Sequence, residues 1–286
     1  MAAPLFWTRF ARDPWARFGL CLVGILGVIA LLAPWLAPDD PVRGDLAASL
    51  QPPSSTFLLG SDAQGRDVLS RVLYGARLSL AVGLISQSIA LALGLTLGLI
   101  AGFYGRWVDG VIMRVADVTL AFPSLLLLIA IAAAVKPSLP VVFIVIGIVG
   151  WAGMARLVRG QVLLARGLEY VQAARALGAS DARIIGRHVL PNVIAPVIVA
   201  ATLGTGGAIM AEAALSFIGL GAQPPTPSWG AMVADGRDLL RVAPWVSIAP
   251  GVAIGLAVLG LNLLGDGLRD ALDVQGVGRR HQGVAA

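Results

Sequence analysis

Residues 169–191 read EYVQAARALGASDARIIGRHVLP. The segment carries three arginines and two carboxylates, yet it lies between two long apolar runs. Its own chemistry is that of a folded element. Glu169 to Leu177 uses good helix formers, with the anion at the front where the helix dipole favours it. Gly178 can take the left-handed conformation that ends a helix. Ser180 then offers an N-cap, with Asp181 in the first turn of a second helix. Ile184, Ile185, His188 and Val189 fall close to one stripe of that helix, and Pro191 is expected to stop it. A floppy connector needs none of this.

The surroundings are membrane-like. The chain has 286 residues, 57% of them hydrophobic and 13% charged, with mean hydropathy +0.84. A soluble domain carries about 25% charged residues. The apolar excess falls in runs near the ~20 residues needed to cross about 30 Å of hydrocarbon. Spans are expected at about 18–37, 78–101, 115–135, 139–155, 193–217 and 244–265, an all-α protein of six transmembrane helices. The pI near 10.3 invites a nucleic-acid reading. The basic residues instead flank apolar runs, so no nucleic-acid partner is expected. Cys21 lies alone inside an apolar run and offers neither a disulfide nor a metal site. The amino-terminal stretch is too polar and too long for a signal peptide, so 18–37 reads as a retained helix.

Arginine and lysine set the direction. Fourteen of the 21 fall in the first tail, the second and fourth connections and the last tail; seven fall on the other side and none within an expected span. The bias puts both termini and the 169–191 segment in the cytoplasm. The expected organisation is a cytoplasmic segment 1–17, a first span 18–37, an extracytoplasmic segment 38–77 and a five-helix core 78–265 whose cytoplasmic loop is 156–191, then a cytoplasmic tail 266–286. Within 38–77, GSDAQGRD lacks the acidic spacing of a calcium loop and reads as a turn and a helix start. Val68, Leu69, Val72 and Leu73 then form an apolar stripe suited to a helix lying on the membrane surface. The spans are rich in Gly and Ala, as in AVGLISQSIALALGLTLGLIAG (81–102), which lets helix backbones approach closely in lipid.

The 169–191 segment resembles the EAA loop of permease subunits of ATP-binding-cassette importers. That pattern is Glu-Ala-Ala, three residues, Gly, nine residues, Ile, any residue, Leu-Pro. Here Gln172-Ala173-Ala174 is followed by Gly178 and then by His188-Val189-Leu190-Pro191. The spacing fits, with Gln172 and His188 as departures. RHVLPN (187–192) resembles the dipeptide, oligopeptide and nickel branch, as do LLGSDAQGRDVLSRVLYGARLSL (58–80), EAALSFIGLG (212–221) and NLLGDGLRDALD (262–273). The resemblance covers about residues 4–280 and favours the C-type subunit over its B-type partner.

The resemblance implies a type I importer permease fold in a bacterial inner membrane. It implies a homologous second permease, two ATP-binding subunits that hold ATP and magnesium, an extracytoplasmic solute-binding protein and surrounding lipid. No cofactor, metal or catalytic residue is expected in this chain. Glu169, Gln172, Ala173, Ala174, Arg175 and Gly178 become the ATPase-coupling set, with Arg175 and Glu169 as rim salt-bridge partners. Glu212, near the outer end of span five, reads either as a gate or solute contact or as a helix-packing partner. Ser216 and Asp117 join it as path or gate candidates, Asp117 with an anchoring role as its other reading. His188 reads as a packed residue rather than a metal ligand, and His281 falls in the tail. Di- or oligopeptides are the expected solute, with nickel or another small solute as the alternative. A secondary transporter is disfavoured because Glu212 alone is a serious intramembrane ionisable group. The spans show no HExxH, Gly-x-Ser-x-Gly or paired Asp for an intramembrane enzyme.

Overall fold

The computed structural model describes residues 3–136 and 138–272. His281 and the tail from 273 onward lie outside the described residues. A short helix α1 (Ala3–Arg12) is broken by Asp13, whose extended backbone and carboxylate (accepting Trp15 N–H at 2.9 Å) cap α2 (Pro14–Leu36). Pro14 sits in the first turn, where its missing N–H costs nothing, so the span opens four residues before the expected 18.

The next helix, α3 (Val68–Tyr104), begins ten residues before the expected 78. Asp67 caps it, accepting the Ser70 N–H at 2.7 Å. The surface-lying helix expected within 38–77 is therefore the opening of α3. Its stripe turns inward: Val68 is fully buried and Trp229 donates its indole N–H to the Val72 carbonyl at 2.9 Å. The expected span 115–135 is a broken one. Helices α4 (Arg106–Ala121) and α5 (Ser124–Ala134) meet at 90°. Pro123 forces the break, since the residue before a proline avoids helical geometry and Phe122 is extended (ψ 141°).

Helix α6 (Leu139–Arg166) runs eleven residues past the expected 155. It carries its arginines inside the helix because each has an acceptor: Asp117 for Arg156, Asp109 for Arg159 at 2.5 and 2.6 Å, and the Gly102 carbonyl for Arg166 at 2.9 Å. The loop then folds as α7 (Glu169–Ala176) and α8 (Asp181–Ile184). A π-helical turn, Ile185–Val189, leads straight into α9 (Leu190–Phe217). Pro191 does not stop the chain as expected. It occupies the first turn of α9 after the widened turn, which accommodates a residue with no N–H to donate backward. Helices α10 (Trp229–Gly236) and α11 (Trp245–Leu272) complete the described chain. The result is an all-α bundle of five unbroken candidate spans plus the bent pair, with no strand among the described residues.

Close helix approach builds the core. Gly94, Gly98 and Gly102 lie one turn apart on α3 and face Met154, Val158 and Val162 of α6. A Cβ at Gly98 would stand 2.6 Å from the Val158 Cβ. Gly19 of α2 likewise meets the α11 backbone at Leu264. Small residues at the contact substitute dispersion for a hydrophobic force that lipid does not supply.

These contacts fix the ends. Ala16 meets Gly267, Arg166 reaches Gly102, and Phe10 packs with Ala271, so both described termini, the end of α3 and the α7–α8 hairpin share one end. At the other end Trp245 donates to the Ser61 carbonyl at 3.0 Å and Gly230 lies against Ala213. The outer segment is fastened there by Asp62, which accepts Arg66 Nε at 2.7 Å and pairs with buried Arg71 at 3.4 Å. Arg71 also donates to the Pro41 carbonyl. Along α2, exposed Trp15 and Trp35 are twenty residues apart, about 30 Å of helix rise, which matches the aromatic belts of a bilayer.

Candidate coupling and translocation sites

The α7–α8 hairpin stands out from the shared end. Gly178 adopts φ +78°, and the Ala179 N–H returns to the Ala174 carbonyl at 3.1 Å while the Gly178 N–H reaches the Arg175 carbonyl at 3.0 Å. This is the glycine-terminated helix end that the sequence suggests. Ser180 occupies the cap position of α8, but its side chain makes no cap hydrogen bond.

One face of α7 is anchored. Val171 is buried with Ile184, Val189 and Val193 in the cluster that continues into α6. Arg175 lies over the Phe103 ring, 5.3 Å from its centroid, and is exposed. The Tyr170 hydroxyl accepts from Asn192 Nδ2 at 2.8 Å, and Asn192 also donates to the His188 carbonyl. Gln172 donates to the Gly167 carbonyl at 3.1 Å.

The other face is open. Glu169 and Ala173 are exposed, Ala174 is half-buried, and nothing lies within 4 Å of a Cβ placed at Gly178. Leu177 is 87% exposed, an apolar side chain held out at the corner. It flanks a groove of about 430 Å³ whose floor is Ala173, Ala174 and Ala179, with Arg183 and His188 on its walls. The sequence analysis takes Leu177 only as the end of a run of good helix formers. Its place just before Gly178, outside the stripe marked by Val171, was the available signal.

Two further sites lie within the bundle. A crevice of about 420 Å³ opens between α3, α5, α6 and α9. Its polar lining is Ser86, Gln87 and Ser124, and Gly150, Gly153 and Gly207 leave it wide. Asp117 is not in that lining. It pairs with Arg156, each side chain about half-exposed, and ties α4 to α6 beside the bidentate Asp109–Arg159 pair, which the sequence reading did not single out. Glu212 is 0% exposed. Ser216 donates its hydroxyl to Glu212 Oε1 at 2.6 Å and accepts the Ala222 N–H at 3.2 Å. The Ser79 and Ser228 hydroxyls also face the carboxyl, so α3, α9 and the N-cap of α10 meet there. Glu212 and Ser216, both buried, thus tie the outer loop to the bundle. No group of three or more His, Cys, Asp or Glu suited to a metal occurs among the described residues.

Residues 94–274 match the family model described as binding-protein-dependent transport system inner membrane component, and residues 4–53 match the N-terminal TM domain of oligopeptide transport permease C. The chain belongs to the binding-protein-dependent inner-membrane permease family. It is 50% identical over 265 residues to the dipeptide transport system permease protein DppC of Alkalihalophilus pseudofirmus, covering 93% of this chain and 87% of the relative. It is 48% identical to the di/tripeptide transport system permease protein DppC of Pseudomonas aeruginosa, covering 94% and 90%. It is 45% identical to the glutathione transport system permease protein GsiD of Pectobacterium atrosepticum, covering 94% and 89%. A chain in an inward-facing structure of the MetNI methionine ABC transporter superposes with TM-score 0.56 at 19% identity, covering 71% of this chain and 97% of that one, and shares the fold. The protein is thus a multi-pass inner-membrane permease component of an ABC importer.

Proposed function

We propose that this chain forms half of a translocation path for di- or oligopeptides and takes its driving force from ATP-binding subunits through α7 and the Gly178 corner. The observation that carries the reading is the two-faced hairpin: one face is locked to the bundle by buried Val171, and the face that carries Tyr170, Ala173, Leu177 and Gly178 opens on the groove. A bare apolar knob at the bundle's end fits a cleft in a motor subunit, where a central buried side chain contributes most of the contact energy. ATP and magnesium belong to those subunits, and this chain performs no hydrolysis. A homologous permease supplies the other half of the path, and a solute-binding protein delivers at the Ser61–Trp245 end. Both termini are cytoplasmic by the arginine bias. The peptide assignment draws on relatives whose names specify dipeptides, di/tripeptides and glutathione, all short peptides.

The test is purification of the whole transporter with Gly178→Val. A branched side chain at φ +78° costs about 1–2 kcal/mol and displaces the corner. The expected result is an intact permease that loses its ATP-binding subunits and its uptake of labelled dipeptide. Subunits retained at wild-type level, or uptake of a nickel chelate in place of dipeptide by the unmodified transporter, overturns the corresponding half of the reading.

A further inference from the structure

We infer that α1 and the first turns of α2 form an interfacial anchor for an anionic lipid surface at the hairpin end of the bundle. The Phe6 and Phe10 rings stack at 6.0 Å, and Phe10, 5% exposed, packs with Ala16, Ala271, Leu264 and Leu268. This docking fixes the rotation of α1 and drives Trp7 outward, 63% exposed and braced edge-on against both phenyl rings. Trp15, 65% exposed, and Phe18, about half-exposed, continue the same apolar surface onto α2. Arg12 and Arg17 stand exposed beside these rings. Asp13 is the only carboxylate in residues 1–38, and its oxygen is committed to the Trp15 N–H.

The amino-terminal helices therefore present indole and guanidinium with one helix-capping acid, at the depth the Trp15–Trp35 separation assigns to one bilayer boundary; the exposed acids at this end, Asp266 and Asp270, belong to α11. Indoles seat at the headgroup level, and guanidinium groups there are drawn to anionic headgroups. A water-borne partner would meet the chain beyond that boundary, where the α7–α8 hairpin projects. The inference draws on the proposed topology only for which leaflet the anchor meets.

The test places the full chain in nanodiscs of phosphatidylcholine with a minority of phosphatidylglycerol. Bromine-labelled lipid of one type or the other quenches tryptophan emission, and subtraction of a Trp7→Phe variant isolates Trp7. Labelled phosphatidylglycerol is expected to quench Trp7 several-fold more than labelled phosphatidylcholine at equal mole fraction. The preference should fall to near unity in Arg12→Gln/Arg17→Gln and survive in Arg12→Lys/Arg17→Lys. High salt should erase it. Trp35 emission, isolated in the same way, checks that each variant is folded. Equal quenching by the two lipids overturns the inference, as does a preference that persists in the glutamine variant. So does a Trp7 that neither lipid reaches and that crosslinks to an ATP-binding subunit in the whole transporter. Nanodiscs expose both faces, so these outcomes are independent of orientation. A topology failure is read separately, by external labelling of Ala11→Cys in cells with Cys21→Ser.

Discussion

Replacing Gly98 by alanine tests the packing that holds the bundle together. The added Cβ would lie 2.6 Å from the Val158 Cβ and 2.7 Å from the Ala155 carbonyl oxygen. Ordinary carbon contacts sit near 3.5–4.0 Å, so α3 and α6 must part by about 1 Å. Gly94 and Gly102 are close against Met154 and Val162 on the same seam, so the separation also strips dispersion from both neighbours. Overpacking of this kind costs about 1–3 kcal/mol. The better helix propensity of alanine returns up to about 1 kcal/mol. The net expectation is a loss of roughly 1–2 kcal/mol. Gly110→Ala is the control: it lies in α4 with no atom within 4 Å of the new Cβ, and only the propensity gain applies. Thermal unfolding of the purified chain in detergent should therefore move in opposite directions for the two variants. A Gly98→Ala protein as stable as Gly110→Ala would refute the close α3–α6 seam.

Arg159→Ala leaves Asp109, whose side chain is 18% exposed, without its bidentate partner, and should cost about 1–3 kcal/mol. Hydrogen exchange should rise in α4, and the Asp109→Ala/Arg159→Ala double variant should be milder than the sum of the singles. Trp229→Phe removes the indole N–H that reaches the Val72 carbonyl, which still accepts within α3, and shrinks a fully buried side chain, for an expected loss of about 1–3 kcal/mol in thermal unfolding. Ser216→Ala removes the hydroxyl that joins Glu212 to the Ala222 N–H. Protease sensitivity of the 218–228 loop should increase while the hairpin end stays protected.

Where the sequence was readable, a single local cause sufficed. Apolar runs marked the spans, and Gly178 marked the corner because a glycine after good helix formers has one common use. The helices run on past the expected spans for a different cause, through Arg71, Arg156 and Arg159. Their acceptors are far away in sequence or in another element: the Pro41 carbonyl for Arg71, Asp117 and Asp109 for the α6 pair. Pro191 misled in the opposite sense: a proline ends a regular helix, but here the π turn before it carries the backbone through. The sequence leaves Glu212 between a packing and a gate role, because the hydroxyls around its carboxyl come partly from other elements, Ser79 from α3 and Ser228 from the α10 cap.

The continuity through Pro191 bears on how force would travel in the proposed reading. From Asp181 to Phe217 the chain is one candidate span of 37 residues, about 55 Å of rise, with no loop along it. One end begins at the hairpin, where Val171, Ile184 and Val189 lock α7 to the rod and Asn192 is tied to Tyr170. The other end carries Glu212 and Ser216, which hold the outer loop through Ala222 and face the α10 cap. A displacement of α7 therefore meets a continuous helix that reaches the opposite surface, with its hydrogen-bond ladder interrupted at the π turn and again at Pro196, which has no N–H to donate. Small residues line the crevice beside this rod at Gly204, Gly207 and Ala208, so it can shift there without first breaking a large side-chain interlock. The α4–α5 pair, bent at Pro123 and tied to α6 through Asp109 and Asp117, closes another side of the same crevice. In the proposed reading the bundle would open by moving α9 relative to the α3–α6 pair, whose glycine seam is a close helix approach on that side of the crevice.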